Sequence, residues 1–225
     1  MRIVSWNCCM AYRKKRHLVE LFEPDVAIIQ EISRADVDTS GATFCHWVGN
    51  RKSKGLGILV FGDHHVEVDT GYTDTVPWFV PLVVDDLHIM AIWATTSDVN
   101  ARRYVRLIHE AIDHYDTFLQ HPRTILIGDF NSNAIFDGKH RLKSHSLMVD
   151  RLHTLGISSL YHQQTGEAQG KESAPTFFLH RSNDKPYHFD YAFVSESLSG
   201  DADLAIGATD TFLGPSDHLP LILDV

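Results

Sequence analysis

Hydrophobic residues occur along the whole chain in short runs separated by polar stretches, and this pattern predicts a strand-rich protein. Several of these runs are rich in Val, Ile and Leu and are bounded by polar or turn-forming residues, as buried strands are. The predicted strands are Ile3–Asn7, Asp25–Gln30, Gly57–Phe61, Phe79–Val84, Leu87–Thr95, Thr124–Gly128, Phe189–Ser195, Leu204–Ala208 and Leu219–Val225.

Helical spacing of apolar residues is clearest in the segment Asn100–Leu119. Its apolar positions follow one another at intervals of four and three residues, which places them on one helix face. Shorter helices are predicted at Lys14–Phe22, which ends before Pro24, and at Ser144–Leu155. The stretch Gly166–Ala174 is expected to be a polar surface loop. Strands alternating with helices indicate sheets covered by helices.

Length and composition favour one compact α/β domain over residues 1–225. The chain is 44% hydrophobic and 22% charged, contains no repeat or obvious linker, and has no run of 18 apolar residues that would predict a membrane span. The start of the sequence does not have the pattern of a signal peptide. Three cysteines without paired spacing argue against a disulfide framework and against structural zinc, so a cytoplasmic location is expected.

The formal net charge of −9 argues against a protein that coats nucleic acid nonspecifically. It does not exclude a nuclease, because a metal site needs its own carboxylates and a local basic face can coexist with an acidic total.

Five short polar motifs stand at the ends of predicted strands. A buried strand does not tolerate an unpaired carboxylate, so we expect these side chains to gather at the rim of a sheet. Taken singly, each motif has an ordinary explanation as a turn, a cap or a surface charge. The motifs are Ser5-Trp6-Asn7, Gln30-Glu31, Gly128-Asp129-Phe130-Asn131, His188-Phe189-Asp190-Tyr191 and Ser216-Asp217-His218.

Taken together, the motifs SWN, IIQE, ILIGDFN, HFDYAFVS and SDHLPL resemble the endonuclease/exonuclease/phosphatase superfamily, in the order found there. That superfamily includes deoxyribonuclease I, exonuclease III, abasic-site endonucleases, inositol-polyphosphate 5-phosphatases and neutral sphingomyelinases. The resemblance extends from residue 5 to residue 221. It implies a four-layer α/β sandwich, with two mixed β-sheets packed face to face and helices outside.

The resemblance also implies a metal site and its ligands. It makes Glu31 the principal ligand of Mg²⁺ or Mn²⁺, which prefer carboxylate oxygens and bind the substrate phosphate as well. Asp217 would be a further metal or water ligand. Asn7 would help to hold the metal or a phosphate oxygen.

The remaining motif residues are given roles in phosphodiester hydrolysis by the same resemblance. Asp129 and Asn131 would position the attacking water, with Asp129 the candidate base. His218 would contact the scissile phosphate, oriented and charged by Asp190. Hydrolysis builds negative charge on the phosphate, which a cation and an imidazolium relieve.

Two positions depart from the family pattern. Many relatives carry a carboxylate where this chain has Cys9, which should share the strand face of Asn7. Cys9 is explained either by a weakened second metal site or by a small buried hydrophobic residue. Trp93 stands where relatives place a His or Tyr that touches the phosphate, so it would act by stacking or shape, or fill the core. His188 is a candidate for the missing polar contact to substrate.

Nucleic acid, DNA or RNA, is the expected substrate. The chain is short for the loops of lipid-cleaving relatives, and its basic clusters could follow a phosphate backbone, although each is equally well explained as a solvated face. The clusters are Arg13 to Arg16, Arg51 to Lys54, and Arg102 to Arg106, with Arg102 a candidate substrate contact. Ser33 stands where abasic-site enzymes commonly have a lysine, which weakens that specific assignment.

Two alternatives to a nuclease stay open. One is a phosphatase or phosphodiesterase that acts on a small phosphorylated molecule or a lipid headgroup. The other is a non-catalytic binding module of the same fold, against which the complete set of motif carboxylates and His218 argues. No protein partner is predicted.

Overall fold

A computed structural model describes residues 1–95, 104–139 and 143–225 of the chain. Most strands belong to two six-stranded sheets. The first sheet has the order β13-β14-β1-β2-β4-β3. Its strands are β1 (Arg2–Asn7), β2 (Val26–Ile32), β3 (Phe44–Arg51), β4 (Lys54–Val60), β13 (Asp203–Ile206) and β14 (Leu221–Asp224).

The second sheet has the order β5-β6-β7-β8-β12-β9. Its strands are β5 (Val66–Val68), β6 (Phe79–Val84), β7 (Leu87–Trp93), β8 (Thr124–Asp129), β9 (Ile157–Ser159) and β12 (Asp190–Ser195). Both sheets are mixed, because β1 runs parallel to β2 and β7 parallel to β8 while the other neighbours are antiparallel. A short hairpin of β10 (Phe177–Phe178) and β11 (Pro186–Tyr187) stands apart from them.

The helices are short. They are α1 (Arg16–Glu20), α2 (Arg34–Asp38), α3 (Tyr104–His114), α4 (Asp116–Leu119), α5 (His145–Thr154), α6 (Leu160–Thr165), α7 (Glu196–Ser199) and α8 (Thr209–Phe212). In the part of the chain that the structure describes, no helix has the length and apolarity needed to cross a membrane.

Three apolar clusters hold together the two sheets and the helices on their outer faces, which makes four layers. The central cluster joins the inner faces of the two sheets, with Ile28 and Ile58 from the first and Ile89 and Ile125 from the second. A second cluster packs α3, α4 and α5 on the outer face of the second sheet, and a third packs α1, α2 and α8 on the outer face of the first. The expected four-layer α/β sandwich is therefore confirmed.

The predicted strands agree with the structure apart from their ends. The short strands β5, β9, β10 and β11 were not predicted, and neither was the longer strand β3. Its sequence, FCHWVGNR, has no long apolar run because β3 is an edge strand with mostly half-buried or exposed residues. The predicted helix Asn100–Leu119 begins outside the described residues. Its described part is not continuous, since Tyr115 has φ −100° and ψ 24° and separates α3 from α4.

The predicted helix Lys14–Phe22 is shorter than expected. A 3₁₀ turn at Tyr12–Lys14 comes first, α1 covers only Arg16–Glu20, and Glu23 beyond it has a positive φ of 48°. The loop Gly166–Ala174 also differs from the expectation, because one of its polar residues, Glu172, turns inward and its side chain is only 4% exposed.

Candidate active site

Two neighbouring strands of the second sheet each have an aspartate at the same end of the sheet, because β8 ends at Asp129 and the antiparallel strand β12 begins at Asp190. The β8–β12 register pairs Asp129 directly with Asp190. His218 approaches from the segment before β14, where a backbone bridge to Phe177 fixes its position. Ligand atoms of the two aspartates and the histidine lie within 4.8 Å of one another, and all three residues are buried.

His218 is held as an ion-pair partner of both carboxylates. Its Nδ1 lies 2.9 Å from Asp190 Oδ2, and its Nε2 lies 4.0 Å from Asp129 Oδ2. The Asp190 backbone N–H donates to Thr176 Oγ1, which fixes that end of the pair. Burial alone would lower the pKa of His218, but the charges of Asp190 and Asp129 outweigh it and raise the pKa above its ordinary value. The ring is therefore suited to act as a cation at neutral pH.

The Asp129 carboxylate is fully buried and is oriented by two asparagines. Asn7 Nδ2 and Asn131 Nδ2 donate to its Oδ2 over 3.0 and 2.9 Å, and the Asn131 backbone N–H donates to its Oδ1 over 2.9 Å. Burial raises the pKa of Asp129, although the nearby His218 charge acts in the opposite direction. A carboxylate with raised proton affinity and a fixed orientation can serve as a general base.

The two asparagines are themselves fixed by the backbone. Asn7 Oδ1 accepts a hydrogen bond from the Cys9 N–H over 3.1 Å, so its amide points its donor at Asp129. Asn131 also donates to the Ala94 carbonyl and has a positive φ of 46°. In this structure both asparagines orient Asp129.

Glu31 lies near the carboxyl end of β2, one residue beyond the aligned pair Asn7–Gln30. A β-bulge at this point gives Glu31 a positive φ of 64° and interrupts the pairing with β4. Glu31 Oε1 forms an ion pair with Lys54 Nζ over 2.9 Å, and the Glu31 side chain is 19% exposed. A partly exposed carboxylate that is already paired with an ammonium group is a suitable ligand for a divalent ion.

Cys9 follows the end of β1, but it does not share a strand face with Asn7 as expected. β1 ends at Asn7, and Cys9 has a φ of 50°, so the prediction that it continues the strand is wrong. Burial raises the pKa of its thiol, and the charges of Asp217 and Glu31 raise it further. Arg181 Nη2 lies 3.6 Å from Cys9 Sγ.

The turn after β1 is strained and is held by a lysine. Cys9, Met10 and Ala11 all have positive φ values, between 50° and 64°. Lys15 Nζ donates to the Cys8 carbonyl over 2.6 Å and to the Met10 carbonyl over 3.0 Å. Strain of this kind persists only where surrounding contacts fix it, and it is common at functional sites.

The three predicted substrate contacts differ in their placement. Trp93 is aligned with Asp129 in the β7–β8 register and is buried against Trp78, so it lies beside the cluster. His188 is buried, its Nδ1 donates to the Ala174 carbonyl, and its ring packs on Tyr161 rather than on His218. Arg102 lies outside the described residues.

Partly buried aromatic rings form a wall next to His218. Phe177 lies 4.6 Å from the imidazole, and Phe189 stacks on Phe177 at 5.2 Å. Tyr187 stacks on Phe189 at 5.2 Å, and Phe136 follows at 5.9 Å from Tyr187.

The motifs alone did not reveal three further residues around the cluster. Lys54 and Arg181 supply positive charge at Glu31 and Cys9, and Phe177 packs on His218. Lys54 appeared only as one member of a basic cluster. Arg181 and Phe177 stand in a segment without a motif, so no sequence signal separated them from surface residues.

The sequence matches the model of the endonuclease/exonuclease/phosphatase family over residues 4–218. The chain belongs to this family. The match includes all the motif residues, from Asn7 to His218, and it places the protein among the hydrolases of phosphate esters. None of the curated protein sequences matches the chain.

Solved structures of the same superfamily share the fold at low sequence identity. The 3′ phosphatase NExo from Neisseria, bound to a product DNA hairpin, superposes with a TM-score of 0.75 at 16% identity, covering 100% of this chain and 98% of that one. The 3′-5′ exonuclease NExo from Neisseria meningitidis gives 0.73 at 17% identity, covering 100% and 99%. The AP endonuclease LMAP from Leishmania major gives 0.71 at 13%, covering 99% and 86%.

Proposed function

We propose that this protein is a divalent-metal-dependent phosphodiesterase that cleaves nucleic acid. The observation that carries the proposal is the buried pair formed by Asp129, a carboxylate with raised proton affinity, and His218, an imidazolium, whose Oδ2 and Nε2 atoms are 4.0 Å apart. A general base and a cation this close to each other suit the attack of water on a phosphate.

In the proposed reaction, Asp129 accepts a proton from the water that attacks phosphorus. The bond between phosphorus and the leaving oxygen then breaks, the leaving oxygen takes up a proton from solvent water, and the products are a phosphate monoester and a hydroxyl group. His218 donates a hydrogen bond to a nonbridging oxygen and offsets the charge that builds there, while Asp190 keeps the ring charged and oriented. Asn7 and Asn131 keep the base aimed at the water.

Glu31 and Asp217 are the proposed ligands of Mg²⁺ or Mn²⁺. Both would provide hard carboxylate oxygens, and Glu31 already binds a cation in the form of the Lys54 ammonium. A divalent ion would supply charge neutralisation at the phosphate oxygens. Cys9 contributes no hard oxygen, which favours a single tightly held ion.

Nucleic acid is favoured over a small phosphorylated molecule by the aromatic wall beside His218. Stacked, partly exposed rings next to a phosphate site suit a sugar or a base, since bases stack on aromatic side chains. Arg181 adds a positive charge at the mouth of the site. The fold-level neighbours include DNA-processing enzymes, one of them with a product DNA hairpin bound.

The test is a cleavage assay with purified protein and Mg²⁺ or Mn²⁺ against duplex DNA, single-stranded DNA, RNA and a chromogenic phosphodiester. We expect cleavage of a nucleic acid that chelation abolishes, and loss of most of the activity in Glu31→Ala with the fold retained. Glu67→Gln on the exposed edge of β5 is the control for loss of a carboxylate. Chelator-resistant cleavage, or activity on the chromogenic ester alone, would contradict the proposal.

A further inference from the structure

Lys54 occupies the side of the site that faces Glu31. It is the first residue of β4, directly after the turn from β3, and it extends back to the bulge of β2. Its ammonium lies 2.9 Å from Glu31 Oε1. The two side chains are 40% and 19% exposed, so solvent and ions have access to the pair.

The same ammonium lies over an aromatic ring next to the proposed base. Lys54 Nζ is 5.5 Å from the centroid of the Trp93 ring, within the range of a cation–π interaction. The Trp93 ring is held in place, because it packs edge-on against Trp78 at 5.1 Å and the Trp93 backbone N–H donates to the Trp78 carbonyl. Lys54 therefore contacts both Glu31 of the first sheet and Trp93 of the second sheet, and Trp93 is paired in register with Asp129.

A divalent ion and the ammonium compete for the Glu31 carboxylate. An ion bound to Glu31 adds two positive charges within a few ångströms of Nζ, and like charges at that distance repel strongly in a partly buried site. The released ammonium keeps the Trp93 face as a support and gains a new anionic partner only if a phosphate is present.

We infer that Lys54 is a phosphate-binding residue that Glu31 holds in the metal-free protein and that contacts the substrate phosphate once a divalent ion occupies Glu31. The inference rests on the proposed function, since it assigns Lys54 to that same site. On this inference, the cation–π contact with Trp93 keeps the Lys54 ammonium at the site both in the metal-free protein and with a divalent ion at Glu31.

The direct test is metal affinity without substrate. Calorimetric titration with Mn²⁺ compares the wild type, Lys54→Met and the matched control Lys52→Met, which removes an exposed lysine from the same hairpin. We expect Lys54→Met to bind Mn²⁺ about three- to tenfold more tightly, because the competing cation is gone, and Lys52→Met to bind it as the wild type does. Equal or weaker binding by Lys54→Met would overturn the inference.

The second measurement is the binding of a DNA oligonucleotide in Mn²⁺, in an Asp129→Asn background that prevents cleavage. Lys54→Met should bind several-fold more weakly, with the slope of log affinity against log salt reduced by about one, whereas Lys54→Arg and Lys52→Met should keep the parent slope. An unchanged slope in Lys54→Met would also overturn the inference.

A purely structural role for Lys54 gives a different result. Lys54→Met would then melt at a lower temperature with Mn²⁺ affinity unchanged, which contradicts the inference. Because the titration needs no substrate, it is independent of the cleavage assay. A protein that cleaves no nucleic acid, but whose Lys54→Met variant binds Mn²⁺ more tightly, would refute the proposed function and leave the competition at Glu31 standing.

Discussion

The chemistry at the scale of single residues is set by burial and by paired charges. Burial raises the pKa of Asp129 from its ordinary value of 3.8 despite the nearby His218 charge, and the charges of Asp190 and Asp129 raise the pKa of His218 from 6.5 against the effect of its own burial. The proposed base works when deprotonated and the proposed cation works when protonated. Both active forms coexist between the two raised pKa values.

This predicts a bell-shaped pH profile. Activity should fall on the acid side as Asp129 takes up a proton, at a pH well above the ordinary aspartate value, and on the alkaline side as His218 loses its proton, above the ordinary histidine value. The measurement is kcat/KM against pH at saturating metal.

Asp190→Asn tests the alkaline limb of that profile. It removes the carboxylate that hydrogen-bonds His218 Nδ1, so the alkaline limb should move to lower pH, and NMR titration of the ring should show the same shift. Asp113→Asn, which changes an exposed carboxylate on α3, should leave both limbs in place. An alkaline limb that stays unchanged in Asp190→Asn would contradict the assignment of that limb to His218.

Gly128 is the residue that lets the base approach the neighbouring strand. It has a φ of 149°, and a Cβ added there would lie 1.9 Å from the Ile92 carbonyl oxygen. Gly128→Ala should therefore lower the free energy of unfolding by more than about 2 kcal/mol, measured by urea denaturation. Gly138→Ala, where a Cβ meets open space, is the matched control, and equal stability of the two variants would contradict the account.

The structure brings together residues that stood in motifs, whereas residues placed by the geometry of the chain left no signal in the sequence. Asn7, Asp129, Asp190 and His218 stand in motifs, and the structure brings them together. Cys9 was placed on a strand because alternation was assumed to continue, whereas the chain turns after Asn7 through consecutive positive φ values. In the sequence, nothing distinguishes Lys54 from the other basic residues of its cluster, and only its distance from Glu31 in the structure does so.

At the scale of elements, the inward carboxylate of Glu172 is one of the contacts that hold the loop Gly166–Ala174 in place. Glu172 accepts hydrogen bonds from His162, Asn133 and the Gly170 N–H. Burial by itself would raise the pKa of Glu172, but these donors outweigh it and lower the pKa to about 2. The loop was predicted to be a polar surface loop because its composition is polar, and composition does not show which polar residue turns inward.

Glu172→Gln tests this anchoring. The amide cannot accept at both ends and loses the charge-assisted bonds, so the free energy of unfolding should fall by about 2 kcal/mol and proteases should cut the loop more readily. Glu67→Gln, on the exposed edge strand β5, should leave unfolding unchanged. A Glu172→Gln protein that unfolds like the wild type would show that the loop is held by other contacts.

Element boundaries were predicted best where both faces of a strand are buried. β6 has the predicted bounds, and β8 differs by one residue, because their apolar runs stop where burial stops. The edge strand β3 has no apolar run that would predict it, since a partly exposed strand can be polar. The break in the helix at Tyr115 could not be predicted either, since a helix can end while the apolar periodicity continues.

At the scale of the whole molecule, the site exists because two sheets pack face to face and present strand ends at one edge. β1 and β2 bring Asn7 and Glu31, while β8 and β12 bring Asp129 and Asp190, and Asn7 donates across to Asp129 between the sheets. The order of motifs predicted the fold through the family resemblance. The pairing of strands from distant parts of the chain is not encoded in any local pattern, so convergence at one rim could only be inferred.

The most direct test of the central claim is the single-turnover rate of DNA cleavage in saturating Mn²⁺ for the wild type and Asp129→Asn. If Asp129 accepts the proton of the attacking water, Asp129→Asn should be slower by a factor of about 100 or more, with unchanged melting temperature and metal affinity. Asp38→Asn, an exposed carboxylate paired with Arg34 on α2, should cleave at the wild-type rate. An Asp129→Asn protein that folds, binds metal and cleaves DNA as fast as the wild type would contradict the account.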